Sequence, residues 1–499
     1  MVLALGRKKQ RVLIALSILP NLFLAFLLSS DPLITLSPPH HCRLPGPSPS
    51  PEALNTSLPW EKGARPRETG SPSQCKQYAN GSQSSVVDCE SGWEYNVTEG
   101  PLSPSVQWDL VCGQYWLVPV EEVCFILGVL TGCLSLGYTA DRLGRSKTLL
   151  ISLTLSVVFG VLVCVSPYPS IFIVMRFCLA AASAGVYLTL YIARLELCEP
   201  SLRLVATMLA GFMTVAGELL LLAVALGCQS WRGLLGAGAA PLTLFLSYGY
   251  DLFCVSAALC LQASCSLVCH PCGLVMDSKP AWTLTLHPSL PSSLLRFISH
   301  GISHCYSSFR GDVRGTAPSF YWTYLLSVSA GGGAWVLLWA TVDRCGRRGI
   351  LLLFMTTTGL ASLILLGLME YLSETAITVF SVLGLFSSQA TASLCILFTA
   401  EIMPTVIRGT GVGVVLALGC VGRLSSPIMD LRNHYGYFLH HVIYSSLALL
   451  AVLSILLLPE SKRKPLPQTL GDGEQYRRPP LGRRRRDNVP LLATPNPET

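Results

Sequence analysis

The chain has 499 residues, of which 51% are hydrophobic and only 13% charged, and its mean hydropathy is +0.52. A soluble domain carries about 25% charged residues, so the polar side chains here are too few to cover a soluble surface of this size. The formal net charge of +7 does not mark a nucleic-acid binder, because the basic residues lie in short loops and at the two ends.

In chain order, Arg7, Lys8, Lys9 and Arg11 precede an apolar run from Val12 to Leu28. A basic start with a short apolar core also fits a cleaved signal peptide. Pro20-Asn21 interrupts that core, however, and no small-x-small site precedes Asp31. On either reading the next segment is exported. Residues 31–113 are rich in Pro, Ser and Gly and hold sequons at Asn55, Asn80 and Asn96, which predict N-glycosylation. The same loop holds Cys42, Cys75, Cys89 and Cys112. In an oxidising compartment these predict two disulfides, with three pairings open. The other fifteen of the nineteen cysteines lie in apolar segments or inner loops and read as free thiols that pack as small apolar residues.

Repeated apolar runs of about 20 residues predict a polytopic helical membrane protein. The expected spans cover 116–138, 148–166, 170–193, 204–228, 320–342, 350–369, 376–398, 411–429 and 438–458. Between Gly233 and Val268 the apolar stretch is too long for one span and short for two, and Ser247-Tyr248-Gly249-Tyr250-Asp251 breaks its middle. The expected seventh span, Leu294 to Phe309, is short and polar. Its Arg296, His300 and His304 recur four residues apart and form one stripe. A His pair at this spacing can bind metal, but a stripe facing the protein interior is the simpler reading, and no metal or cofactor is assigned. The cluster Cys260, Cys265, Cys269, His270 and Cys272 is spaced too loosely for zinc and reads as membrane-edge thiols of the kind that are palmitoylated.

Two short loops between apolar runs carry D-R-x-G-R. The first holds Gly137, Asp141, Arg142, Gly144 and Arg145; the second holds Asp343, Arg344, Gly346, Arg347 and Arg348. Two copies at matching places in two hydrophobic halves mark an internal repeat. Gly137 allows two helices to approach closely, and the second glycine permits a tight turn. The Asp can accept hydrogen bonds at a helix N-terminus, while the Args hold the loop on one side of the membrane. These loops resemble the cytosolic loops of the major facilitator superfamily, between spans 2–3 and 8–9, where such residues govern conformational balance.

Further stretches narrow the resemblance. Trp108-Asp109-Leu110-Val111-Cys112 closes the exported loop, and Arg194 through Pro200 to Arg203 follows the fourth span. Trp231-Arg232, Glu401 through Pro404 to Arg408, and Leu458-Pro459-Glu460-Ser461-Lys462 complete the set. Together they resemble the organic cation and anion transporter family, solute carrier family 22. Leu195-Glu196-Leu197-Cys198, GRRGILLL, SVLGLFSSQA and the tail VPLLATPNP look most like its atypical brain-type branch, known as a lipocalin receptor. The likeness excludes about 256–291, and the family's E-S-P-R-W-L motif is absent.

Ionisable residues at membrane depth each cost about 2.5–3.5 kcal/mol at a helix centre, so they are paired or wet. Glu121, Glu122, Arg176, Glu218, Asp251 and Arg423 are the candidates. Arg176 with one Glu reads as a structural pair near the outer face, whereas Glu218 and Arg423 fall near mid-span and are the better candidates to line a substrate cavity. In the family, a position in the eleventh span carries Asp in cation carriers and Arg in anion carriers. The resemblance places it at Cys420, which is neutral, with Arg423 three residues on. Arg423 in that role favours anions; its expected internal partner, if structural, is Glu218.

No G-x-x-x-x-G-K-[ST], H-E-x-x-H or G-x-S-x-G motif occurs, so no enzyme is expected. The tail is Pro-rich and basic, with Arg483 to Arg486 suited to anionic lipid. Asp487, Leu491 and Leu492 form an acidic dileucine pattern that an endocytic adaptor would read. The expected fold is an all-α polytopic membrane protein of the major facilitator type, with about twelve helices in two six-helix halves. Residues 1–11 form a cytosolic N-terminus, 12–257 the first half, 258–290 a shortened inner loop, 291–460 the second half, and 461–499 a disordered cytosolic tail. The expected function is secondary-active carriage of organic ions at the plasma membrane, with endosomal cycling; the alternative is a non-transporting receptor that uses the exported loop and the sorting tail.

Overall fold

The structure is a computed structural model and describes residues 7–43, 57–61, 71–78, 85–89, 91–95, 103–200, 202–228, 230–246, 290–316, 319–368, 371–424, 437–459, 461 and 466–467. Asn55, Asn80, Asn96, Asp251, the 260–272 cysteine cluster and the dileucine pattern lie outside these residues.

The first span is two helices, α1 (Arg7–Ile18) and α2 (Pro20–Ser29). Proline removes a backbone donor, and here the Asn21 amide donates to the carbonyls of Ser17 and Ile18 at the break. Leu24, Phe26 and Leu27 are buried in the cores of the bundle, so this segment packs as one of its helices. The first half continues with α3 (Leu117–Leu143), α4 (Arg145–Cys164), α5 (Pro169–Leu197), α6 (Arg203–Gly227) and α7 (Trp231–Ala239). The second half holds α8 (Leu290–Thr316), α9 (Phe320–Cys345), α10 (Arg347–Leu368), α11 (Glu374–Ile402), α12 (Arg408–Arg423) and α13 (Tyr437–Leu456). Eight segments of the described residues are long and apolar enough to cross a membrane, from Ile14–Ile34 to Glu374–Ile402.

The seventh span differs from its expectation. It runs over 27 residues, Leu290–Thr316, rather than the short Leu294–Phe309. At 1.5 Å per residue this is about 40 Å, enough to cross a bilayer. Its polarity misled because α8 does not stand in lipid alone: it packs on α11, α12 and α13. Ser299 donates to the Val415 carbonyl at 2.8 Å, and the His304 ring meets Tyr444 at 4.7 Å. Polar groups on this helix therefore find protein partners.

The halves meet chiefly along α3 with α12 and α6 with α9, with a lesser contact of α5 with α12. At one end of the bundle lie both D-R-x-G-R loops. At the other end lies the cysteine-bearing loop, where Cys42 joins Cys89 and Cys75 joins Cys112. Three short antiparallel ladders supplement the bridges: 40–42 with 93–95, 60–61 with 71–72, and 76–78 with 86–88. Tyr95 donates to Asp109 at 2.8 Å, and burial together with that acceptor pushes its phenol above the usual range.

Candidate functional site

The site is built from two charged layers. The first lies at the motif end. Gly144 turns the chain between α3 and α4 at φ +91°, and Gly346 turns it between α9 and α10 at φ +86°, a region only glycine enters freely. Gly137 of α3 lies against Gly409 of α12, where a Cβ on Gly409 would sit 2.6 Å from the Gly137 carbonyl oxygen. That approach puts Asp141 on the N-terminus of α12. Its Oδ1 accepts from the Gly409 amide at 3.0 Å; its Oδ2 accepts from the Thr410 amide and hydroxyl, each at 2.7 Å. A carboxylate here satisfies orphan donors and meets the positive end of the helix dipole.

Arg145 extends the contact. It pairs with Asp141 at 3.2 Å and Glu196 at 3.1 Å, and donates to the Thr405 carbonyl at 2.7 Å. Glu196 also takes Arg408 at 2.9 Å, while Arg408 donates to the Ala400 and Met403 carbonyls. One carboxylate thus bridges a guanidinium from each half. Arg142 is exposed and lies over the Tyr138 ring.

The second motif has ion pairs within its own half. Arg347 pairs with Asp343 at 3.3 Å and with Glu401 at 3.6 Å; Ser461 donates to Glu401 at 2.7 Å. Arg348 donates to the Leu456 carbonyl, and Arg344 is exposed.

The second layer lies deeper. Arg176 is fully buried and pairs with Glu121 at 3.1 Å and Asp31 at 3.3 Å, with Ser30 as a further acceptor. The sequence anticipates Arg176 with one Glu; Asp31 is the partner it missed, at the end of the first span. Glu218 of α6 accepts from Ser29 at 2.9 Å. It does not pair with Arg423, correcting the expected internal partner. Arg423 instead donates to the Cys420 sulfur at 3.6 Å. Cys420 itself is buried in an apolar cluster with Phe125, Cys133 and Ala184.

Arg310 is the residue that sequence reasoning missed, because it lies just past the expected end of the seventh span. It is within Coulombic range of Asp31, Glu218, Tyr306 and Tyr324, and Tyr306 also feels Glu218 and Arg423. A signal was available: Ser299, Ser303, Tyr306 and Arg310 recur at helical spacing on one face. Among the described residues no carboxylate lies within 4.0 Å of the Arg310 or Arg423 guanidinium.

Comparison with known proteins matches this architecture. Residues 104–264 match the family described as Sugar (and other) transporter. The chain is 38% identical to human solute carrier family 22 member 17 over 560 aligned positions, which cover 98% of this chain and 85% of the relative. It is 31% identical to human solute carrier family 22 member 23, covering 98% and 82%. Rat (Rattus norvegicus) solute carrier family 22 member 7 is also 31% identical, covering 93% and 95%. Among solved structures, the proton:xylose symporter XylE bound to 6-bromo-6-deoxy-D-glucose aligns with TM-score 0.54 at 18% identity, over 73% of this chain and 89% of that one. A double tryptophan variant of XylE aligns with TM-score 0.57 at 15% identity, over 94% and 98%. Those two likenesses carry the fold, and the closer sequence relatives carry the family: the chain has the major facilitator fold, is no enzyme, and belongs to solute carrier family 22.

Proposed function

We propose that the chain is a secondary carrier of organic ions, with anions favoured over cations, and that it works by alternating access about the central charged layer. The carrying observation is the pair of guanidiniums, Arg423 and Arg310, beside Tyr306 and without a carboxylate within 4.0 Å among the described residues. A cation at membrane depth needs a counter-charge, and a bound anion supplies it. The junction of Asp141 with α12 is the barrier that must open for release on the motif face. The names of the relatives and fold neighbours favour carriage over the receptor alternative.

The test is uptake by cells expressing the chain, against a panel of organic anions and cations. Arg423→Ala should reach the surface normally and lose anion uptake by about tenfold or more, as expected for a lost charge-assisted contact. Normal anion uptake by well-expressed Arg423→Ala would refute the assignment. Poor expression of Arg423→Ala would instead make Arg423 structural.

The proposed setting is the plasma membrane with both termini cytosolic. Basic loops and sequons choose this orientation independently. Residues 258–290 then connect the two halves on the cytosolic side, and the tail meets anionic lipid and an endocytic adaptor through Asp487, Leu491 and Leu492. Glycosidase should shift the band through Asn55, Asn80 and Asn96, and a C-terminal tag should stain only after permeabilisation. Staining of that tag on intact cells would sink the orientation.

A further inference from the structure

One of the two disulfides has a neighbour that a purely structural bridge does not need. His40 Nε2 lies 3.9 Å from Cys112 Sγ, and the His40 ring and the Cys75 and Cys112 sulfurs form a group whose ligand atoms are all within 4.8 Å of one another. The ring is held in place. Nδ1 is 3.1 Å from the Pro38 carbonyl, which can only accept, so Nδ1 carries a proton there. Tyr95 packs against the ring with centroids 5.8 Å apart. In the neutral ring Nε2 is then the acceptor, and it faces the sulfur. The Gln74 carbonyl, 3.7 Å from the same sulfur, is a second acceptor. A closed bridge has no S–H for either. A Cys112 thiol would donate to one of them, so the open form gains a hydrogen bond that the closed form lacks.

Access and restraint also separate the two bridges. Cys42 is 0% exposed and sits opposite Trp93 in the ladder of 40–42 with 93–95, so Cys42–Cys89 is sealed on that side. Cys75 and Cys112 are both half-buried. Cys112 also holds φ +53°, a region that a residue with a Cβ rarely adopts, so opening its bridge removes a restraint on a strained turn. That turn leads into α3, which begins at Leu117. Cys75–Cys112 therefore ties the 76–78 ladder to the start of α3, whereas Cys42–Cys89 lies wholly within the loop.

We propose that Cys75–Cys112 is a thiol-exchange site that takes a low-molecular-weight thiol, with Cys75 as the sulfur attacked and Cys112 as the leaving group. The incoming thiol gives its proton to solvent, and its sulfur forms a new S–S bond to Cys75 Sγ. The Cys75–Cys112 bond breaks and its electron pair stays on Cys112 Sγ. A proton from solvent reaches that sulfur through His40 Nε2. The net change is one thiol consumed, a mixed disulfide at Cys75 and a new thiol at Cys112. The incoming sulfur is oxidised as the Cys112 sulfur is reduced, so no other co-reactant is needed. Exchange is faster through the sulfur that departs more readily, which assigns departure to the one beside His40. Opening the bridge releases the loop's ladder from α3, so the site is a removable tether on the helix that carries Asp141.

The experiment uses the full chain in lipid nanodiscs, with free thiols first blocked by N-ethylmaleimide. Reduced glutathione is added, exchange is quenched with iodoacetamide, and the peptides are mapped. Glutathione should appear on Cys75 and the iodoacetamide label on Cys112, about tenfold or more faster than either appears on Cys42 or Cys89. His40→Phe keeps a ring against Tyr95 and removes both nitrogens. It should slow exchange by about tenfold or more and divide glutathione between Cys75 and Cys112. A purely structural His40 predicts the reverse, because a loosened loop would exchange faster. A closed Cys42–Cys89 bridge in the variant reports that the loop is folded. If His40→Phe does not fold, the sulfur that glutathione chooses in the parent decides. Glutathione on Cys112, earlier opening of Cys42–Cys89, unchanged or faster exchange in folded His40→Phe, or no exchange at all would overturn the proposal.

Discussion

The two D-R-x-G-R loops are nearly the same in sequence and do different things. Asp141 reaches across to the other half and caps α12, while Asp343 pairs with Arg347 in its own loop. The side chain of Asp141 is 4% exposed and that of Asp343 is 49% exposed. The reason lies in what each loop faces. Following Arg408, α12 begins with Gly409 and Thr410, which present two amides and a hydroxyl with no side chain in the way. The corresponding start of α6, after Arg203, is Leu204 and Val205. A leucine and a valine offer no side-chain hydroxyl, and each carries a side chain where α12 has a glycine. A repeated motif therefore marks a capacity, and the residues opposite decide whether it becomes a junction between halves.

The strongest way to break the contrast is to give α12 the α6 pattern. A side chain on Gly409 meets the Gly137 carbonyl at 2.6 Å and Asp141 Oδ1 at 2.8 Å, and backbone cannot yield as a side-chain tip can. Gly409→Leu should cost the junction at least the upper end of the about 1–3 kcal/mol typical of overpacking. Spin labels on the motif-face ends of α3 and α12 should move apart. An unchanged distance distribution would show that the glycine contact does not hold the halves.

Next in size is the paired neutralisation. Asp141→Asn removes the charge from a buried acceptor of three hydrogen bonds and should shift the balance toward the open motif face by about 2–5 kcal/mol. Asp343→Asn neutralises a half-exposed carboxylate whose partner Arg347 also pairs with Glu401, and should change it by less than about 1 kcal/mol. The same labels report both. Equal shifts in the two variants would erase the difference between the loops. A change of ligand selectivity at normal expression in either would move the Asp from conformational to ligand-contacting duty.

Much of this was legible in the chain. The paired motifs, the apolar spacing and the sparse charge define a two-half helical membrane fold, because each rests on local chemistry repeated many times. The motif residues themselves were also visible. What sequence could not supply was partnership: that Asp141 would meet Gly409 and Thr410 across 268 and 269 positions, or that Glu196 would bridge Arg145 to Arg408. The deeper layer was only partly legible. Glu218, Arg176 and Arg423 stand out as charges in apolar runs, but Arg310 lies one residue past the expected end of the seventh span at Phe309. Glu218 as the partner of a structural Arg423 was not decidable for a related reason: hydrophobic pattern places residues at a depth and leaves open which face of the bundle they share.

The smallest expected effect is a reporter of the same contrast and leaves the junction intact. Each motif region carries a free cysteine. Cys198 ends α5 two residues after Glu196, is buried, and lies near Arg194 and Arg203. Burial pushes its thiol up to about 11, outweighing the pull of those two guanidiniums. Because the folded thiol titrates above its free value, only about one molecule in a thousand is thiolate at pH 8, and the attacking species is nearly absent. Cys345 lies within the second motif and is exposed. With a membrane-impermeant maleimide and peptide mapping of the protein in nanodiscs, Cys345 should label quickly and Cys198 should remain protected. Raising the pH toward 11 should increase the rate at Cys198 in step with its thiolate. Asp141→Asn should also raise it, at constant pH, by opening the first junction, whereas Asp343→Asn should leave it alone. Fast labelling of Cys198 in the parent at pH 8 would mean that the first junction is as open as the second, and that the asymmetry between the two loops does not persist in solution.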